Sequence, residues 1–227
     1  MKSNIYSMLE SFFDEPIVDI AKKLKYDEDN ILILESDEEG LKLEYPETYN
    51  NLLSCKYNKD ARTFIEYAQD LICSWIFEDY LLLSLKEQDL KIELSGEDKN
   101  RKILKSAKVS ASSDYFINFN ERKAFIELVN DYTGYWKKKK ICDLRDEKYN
   151  HIKKASENAN YSLLLGIDFK NSEFFLFDLN KNQNDIKYSE YHFAYHKPVY
   201  SLKLNNIKYE KFNFEKICSV IKDIMSE

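Results

Sequence analysis

Apolar positions change their period along the chain. In the first third they recur every three or four residues, which places helices near Ile5–Phe13 and Ile17–Leu24. Asp14, Glu15 and Pro16 precede the second and form a helix-start signal. Asn30–Glu35 and Leu41–Tyr45 read as strands joined by the acidic turn Ser36–Gly40. A long helix is expected from about Asp60 to Lys86, its stripe (Phe64, Ala68, Leu71, Trp75, Glu78, Leu82, Leu85) stepping by four and three. Glu78 puts a carboxylate in the middle of that apolar face.

Further on the period shortens. Leu90–Leu94 reads as a short strand ending at Ser95-Gly96, and Asp114–Phe119 and Lys123–Asn130 as two strands around the polar turn Asn120–Arg122. A helix is expected at about Lys139–Glu157, followed by strands at Tyr161–Ile167 and Glu173–Leu179. The first of these is a nearly continuous apolar run, as in a buried central strand. A strand near Val199–Leu204 and a closing helix at Phe212–Met225 complete the chain. Helices beside a mixed sheet make the fold class α/β, bordering on α+β. The 227 residues are read as one domain: a helical part about 1–88, a core about 60–180, and a C-terminal strand and helix about 185–227.

Composition narrows the function classes. Four glycines leave no room for a phosphate-cradling GxxxxGK or GxGxxG, and neither is present. Cys55, Cys73, Cys142 and Cys218 are scattered without a CxxC pair, so reduced core thiols are expected rather than a zinc ribbon or disulfide framework. No apolar run suits a membrane span or a signal peptide, which gives a cytoplasmic expectation. The net charge of −6 speaks against a protein that coats nucleic acid nonspecifically. It leaves open a local basic surface around an acidic centre.

Such a centre is suggested by Ser113-Asp114-Tyr115-Phe116-Ile117 followed by Lys123-Ala124-Phe125-Ile126-Glu127-Leu128-Val129. One carboxylate opens a strand and a second sits inside the next, in apolar company. A short turn makes the strands antiparallel, so Asp114 and Glu127 converge at one end of a hairpin. Paired hard carboxylates suit Mg²⁺, which takes oxygen ligands and keeps several waters. Without a cation their charges would repel.

These residues resemble the core of the PD-(D/E)XK nuclease superfamily: a helix, a strand opening on Asp, a strand carrying an acid, then a helix and a strand. The resemblance spans roughly residues 60–180 and is closest to type II restriction endonucleases. Phe77-Glu78-Asp79-Tyr80-Leu81, Ser95-Gly96-Glu97-Asp98 and Arg101-Lys102-Ile103-Leu104 are similar in character to upstream segments of those enzymes. The resemblance implies Mg²⁺-dependent hydrolysis of double-stranded DNA. Asp114 and Glu127 would be metal ligands, Glu78 an accessory carboxylate, and the assembly a homodimer matched to palindromic sites. A companion DNA methyltransferase would go with restriction.

Two positions depart from the family pattern. Ser113 stands where the family has Pro, and Val129 stands where it has the catalytic Lys. Some members supply a catalytic side chain from the following helix, where Ile141, Leu144, Lys148, Ile152 and Ala155 share a face. Lys148 on that stripe either reaches the active site or snorkels over the core. Lys139 and Lys140 are the next candidate cations.

Other residues carry two readings each. Glu78 is either the accessory carboxylate or half of a local salt bridge. Asp131 shares strand parity with Glu127 and either joins the metal site or ends the strand at a turn. Lys137, Lys138, Lys139 and Lys140 follow Tyr135-Trp136 and either contact DNA phosphates or form a solvated face. His192 and His196 have HxxxH spacing, but their aromatic context reads as strand or loop and no third ligand is marked. Two further functions stay open: a repair or phage-defence nuclease of the same fold, and a noncatalytic nuclease-like binding module.

Overall fold

The computed structural model describes residues 4–54, 62–95, 98–102, 113–157 and 159–226. The chain divides into two compact units, Met1–Leu81 with Glu97–Ser110 and Leu82–Gly96 with Ala111–Glu227.

The first unit is helical: α1 (Asn4–Phe13), α2 (Ile17–Lys23), α3 (Glu28–Glu35), α4 (Glu38–Glu44), α5 (Pro46–Ser54) and most of α6 (Phe64–Glu87). The two strands expected at 30–35 and 41–45 are therefore helices, and the physical reason is capping. The Asp27 side chain accepts from Asn30 N at 3.1 Å and that of Asp37 from Gly40 N at 2.9 Å. Each cap is followed by two more acids in the first turn, favourable beside the positive end of the helix dipole. Short apolar runs are ambiguous in period, and here the cap decides. α6 also opens on a reciprocal cap: Thr63 N donates to Glu66 Oε2 at 2.8 Å, and Glu66 N to Thr63 Oγ1 at 3.2 Å. Asp60, its expected start, lies outside the described residues.

The second unit holds the strands. β1 (Lys91–Leu94), β2 (Tyr115–Phe119), β3 (Arg122–Asp131), β5 (Tyr161–Asp168), β6 (Glu173–Asp178) and β9 (Glu210–Lys211) form one sheet in the order β1-β2-β3-β5-β6-β9. β4 (Ile141–Arg145), β8 (Lys197–Lys203) and β7 (Ile186–His192) form another, in that order. β2 and β3 are antiparallel, joined by Asn120 and Glu121 with φ of 49° and 64°, the signature of a tight two-residue hairpin turn. β3 and β5 are parallel and need a crossover. α7 (Tyr135–Lys139), β4 and α8 (Asp146–Ser156) supply it.

That crossover corrects the continuous helix expected at 139–157. Lys140 turns into the left-handed region at φ 58° and ends α7. The segment Ile141-Cys142-Asp143-Leu144-Arg145 then alternates inward and outward and pairs with β8. α8 packs on β3 and β5, and α9 (Phe214–Ser226) packs on β6. The architecture is mixed α/β, a mixed sheet flanked by helices.

Trp136, Leu144, Tyr149, Ile152 and Leu202 join Leu164, Phe175 and Phe177 of the larger sheet in one core cluster. Gly166 lies beside Val129 on β3 and Phe175 on β6. A Cβ there would stand 2.2 Å from Phe175 Cε1, so the glycine leaves the space that the ring fills. Gly166→Ala is expected to cost about 3 kcal/mol, the upper range for overpacking. Combined with Phe175→Leu it should cost less than the two singles added together. Denaturant midpoints check both; additive costs would refute the clash.

Cys73, Cys142 and Cys218 are buried free thiols, and burial pushes the Cys142 thiol upward. Cys55 lies outside the described residues. Among the described residues no helix is long and apolar enough to cross a membrane.

Candidate metal centre

Asp114 stands immediately before β2, and Glu127 lies within β3, one residue beyond Ile126, the last residue of β3 to pair with β2, at Tyr115. Both residues thus stand at the same end of the hairpin. Asp114 is fixed on every side: its N donates to Ile126 O at 3.1 Å, its O accepts from Ser95 N at 3.0 Å, and its Oδ2 accepts from Leu128 N at 2.7 Å. Ser113 O accepts from Ser95 Oγ at 2.6 Å. Glu127 lies inside β3 between apolar neighbours, its side chain only 2% exposed.

A carboxylate so buried needs compensation. Lys148 supplies it, with Nζ ion-paired to Glu127 Oε1. The lysine comes from the first turns of α8, four residues before the buried Ile152, and its side chain keeps 31% exposure. Leu144, which shares its helical phase in the sequence, is buried from β4 instead. The position two residues after Glu127 is closed to a cation, since Val129 packs against the apolar cluster that contains Phe175. α8 thus places an ammonium on the buried carboxylate of β3.

Two carboxylates and one ammonium thus stand toward this end of the hairpin. The donors are hard oxygens, and Mg²⁺ commonly takes one or two carboxylates, completing its shell with water and substrate phosphate. Asp114 and Glu127 fit that ion. Among the described residues no cluster of three or more His, Cys, Asp or Glu is placed to hold a metal ion.

The remaining candidates sit as follows. Glu78 belongs to the helical unit, where its Oε2 lies 2.9 Å from Arg101 Nη1. Asp79 contacts the same guanidinium at 2.8 Å and accepts from the Tyr26 hydroxyl at 2.6 Å. Burial works against the Arg101 charge, but Glu78 and Asp79 more than offset it and hold its pKa above the usual value. Asp131 ends β3 and organises the turn into α7: Oδ1 accepts from Thr133 N, Thr133 Oγ1 and Gly134 N, and Oδ2 from Trp136 N. Lys137 pairs with Glu173 at 2.6 Å, and this bond holds the Glu173 carboxyl below its ordinary range. Lys138 and Lys139 are exposed, and Lys140 Nζ stands 5.5 Å from the Tyr209 ring centroid.

Two polar groupings carry no local sequence signal. Arg101 gathers Glu78 and Asp79 from more than twenty residues away. Asp143 accepts from the Ser201 hydroxyl on the paired strand and lies 3.5 Å from His192 Nε2. The carboxylate stands between the serine and the histidine, the reverse of a nucleophilic triad, in which histidine must be central. His196 instead has Nδ1 2.7 Å from the Tyr191 hydroxyl, so the two histidines do not share a partner. No protein-family model matches the sequence, and no curated protein matches it.

Proposed function

We propose that the protein is a Mg²⁺-dependent endodeoxyribonuclease with a restriction-endonuclease-like core. The observation that carries this reading is the Lys148–Glu127 ion pair at the end of the hairpin where Asp114 also stands: two acids, with a cation on one of them. The order of elements supports it. α6 precedes the antiparallel run β1-β2-β3, and α8 lies in the crossover to the parallel β5, the arrangement expected of the PD-(D/E)XK core.

Asp114 and Glu127 would hold Mg²⁺, which when bound supplies an activated water and neutralises charge on the scissile phosphate. The chain's own contribution is positioning. Backbone bonds on both sides of Asp114 keep its carboxylate at the strand end, and the β3 core fixes Glu127. The Lys148 ammonium, anchored on Glu127, can donate to the incoming water or to a phosphate oxygen, stabilising charge as it develops. The exposed Lys138 and Lys139 are suited to backbone phosphates. A type II restriction enzyme acting as a homodimer on double-stranded DNA, with a companion methyltransferase, is the specific form this function takes.

Incubation with unmethylated supercoiled plasmid and Mg²⁺, with a chelator control, tests the proposal. Metal-dependent conversion to discrete fragments is expected. Random degradation would point to a repair or defence nuclease. No cleavage together with no Mg²⁺ binding by calorimetry would refute the nuclease reading and leave a noncatalytic binding module.

A further inference from the structure

Asp114 stands outside β2, so regular strand pairing does not reach it. Its direction depends on the two peptide planes that flank it. A peptide unit is planar, and φ and ψ of Asp114 are the only soft torsions between those planes. Fixing both planes therefore fixes where Cβ points.

The plane before Asp114 is held at both of its polar groups. Asp114 N donates to Ile126 O of β3 at 3.1 Å, and Ser113 O accepts from Ser95 Oγ at 2.6 Å. The plane after it is held through Asp114 O, which accepts from Ser95 N at 3.0 Å. Leu128 N then donates to Asp114 Oδ2 at 2.7 Å and orients the carboxylate itself. Ser95, directly after β1, thus acts on both planes from the side opposite β3.

The two bonds from Ser95 differ in what they ask of the sequence. Any residue except proline could donate its N to Asp114 O, but the bond to Ser113 O needs a side-chain donor. Ser113 does not hold itself. It is buried, and its own hydroxyl has no hydrogen-bond partner.

We propose that Ser95 is a positioning residue for the metal centre: its hydroxyl pins the peptide plane before Asp114 and thereby aims the carboxylate that would hold Mg²⁺. This rests on the Mg²⁺-dependent reading above and adds to it a residue that acts through Asp114.

The test compares the full-length wild type with Ser95→Ala and Ser95→Thr. Ser95 is only partly buried, which leaves room for the threonine methyl. In calorimetric titration with Mg²⁺ alone, Ser95→Ala is expected to bind roughly tenfold more weakly, the lower end for losing a group that orients a metal ligand. In plasmid cleavage at saturating Mg²⁺, kcat should fall roughly tenfold with KM little changed, because a turned Asp114 slows the chemical step without removing a DNA contact. Ser95→Thr keeps the hydroxyl and should restore most of both. Wild-type Mg²⁺ affinity in Ser95→Ala would overturn the proposal, whether or not its melting temperature falls. Equal losses in the alanine and threonine variants would also overturn it, since the hydroxyl would not be the cause. Mg²⁺ binding that depends on the hydroxyl, without cleavage by the wild type, keeps the role of Ser95 and removes the nuclease. Cleavage by the wild type with Mg²⁺ affinity alike in all three proteins does the reverse. A wild type that binds no Mg²⁺ overturns both.

Discussion

Lys148→Ala is expected to lower DNA cleavage by roughly two orders of magnitude or more, the scale for removing one charge-stabilising group from a preorganised site. DNA affinity should change little, because the affected carboxylate is 2% exposed. Lys148→Arg should rescue poorly, since a planar fork cannot take the place of a compact ammonium on Glu127. Nor should Val129→Lys rescue the alanine variant, because position 129 faces the apolar cluster around Phe175. A second consequence distinguishes this role from simple packing. The variant loses a partner of a nearly fully buried carboxylate, which in metal-free protein should cost about 2 kcal/mol. That lies below the roughly 3–5 kcal/mol for a fully buried pair because the Lys148 side chain is 31% exposed. Mg²⁺ should recover part of that loss, so its stabilising effect in thermal denaturation should be larger for the variant than for the wild type. Normal cleavage by Lys148→Ala would move the catalytic cation elsewhere, with Lys139 and Lys140 next to be tested.

How far these features were legible in the sequence depended on the range of the interactions behind them. The β2–β3 hairpin could be read because its strands alternate and its turn is polar, and those local facts fix the register that puts Asp114 and Glu127 at the same end of it. α6 could be read from its periodicity. α3 and α4 were misread as strands because short apolar runs outweighed Asp27 and Asp37, whose capping role was visible in the same residues. β4 was absorbed into a helix because Ile141, Leu144 and Lys148 happen to fit a helical step, although Cys142–Arg145 also alternates. Lys148 does face Glu127, but from the start of α8 and not from a continuous helix over 139–157. The Arg101 and Asp143 groupings were out of reach. Their partners lie more than twenty residues away in sequence, and only the fold brings them together.

Asp114→Asn and Glu127→Gln should each reduce cleavage roughly a thousandfold or more, the upper end for loss of one charge-stabilising group, while leaving the protein folded. Folding should survive for different reasons at the two positions. In Asp114→Asn the amide oxygen can still accept from Leu128 N, so the bond that closes the strand end is kept and only the charge is lost. In Glu127→Gln the lysine loses its counter-ion, but with 31% of its side chain exposed it can turn its ammonium to water. A buried carboxylate deprived of its lysine has no such escape, so Glu127→Gln should lose less thermal stability than Lys148→Ala. Both acid-to-amide variants should also lose most of the Mg²⁺-induced rise in melting temperature, since each removes half of the hard, charged donor set. Cleavage rates, melting temperatures with and without Mg²⁺, and circular dichroism check the three statements separately. A wild-type rate in either variant would take that residue out of the mechanism. An unchanged Mg²⁺ response in both would move the metal away from this hairpin altogether.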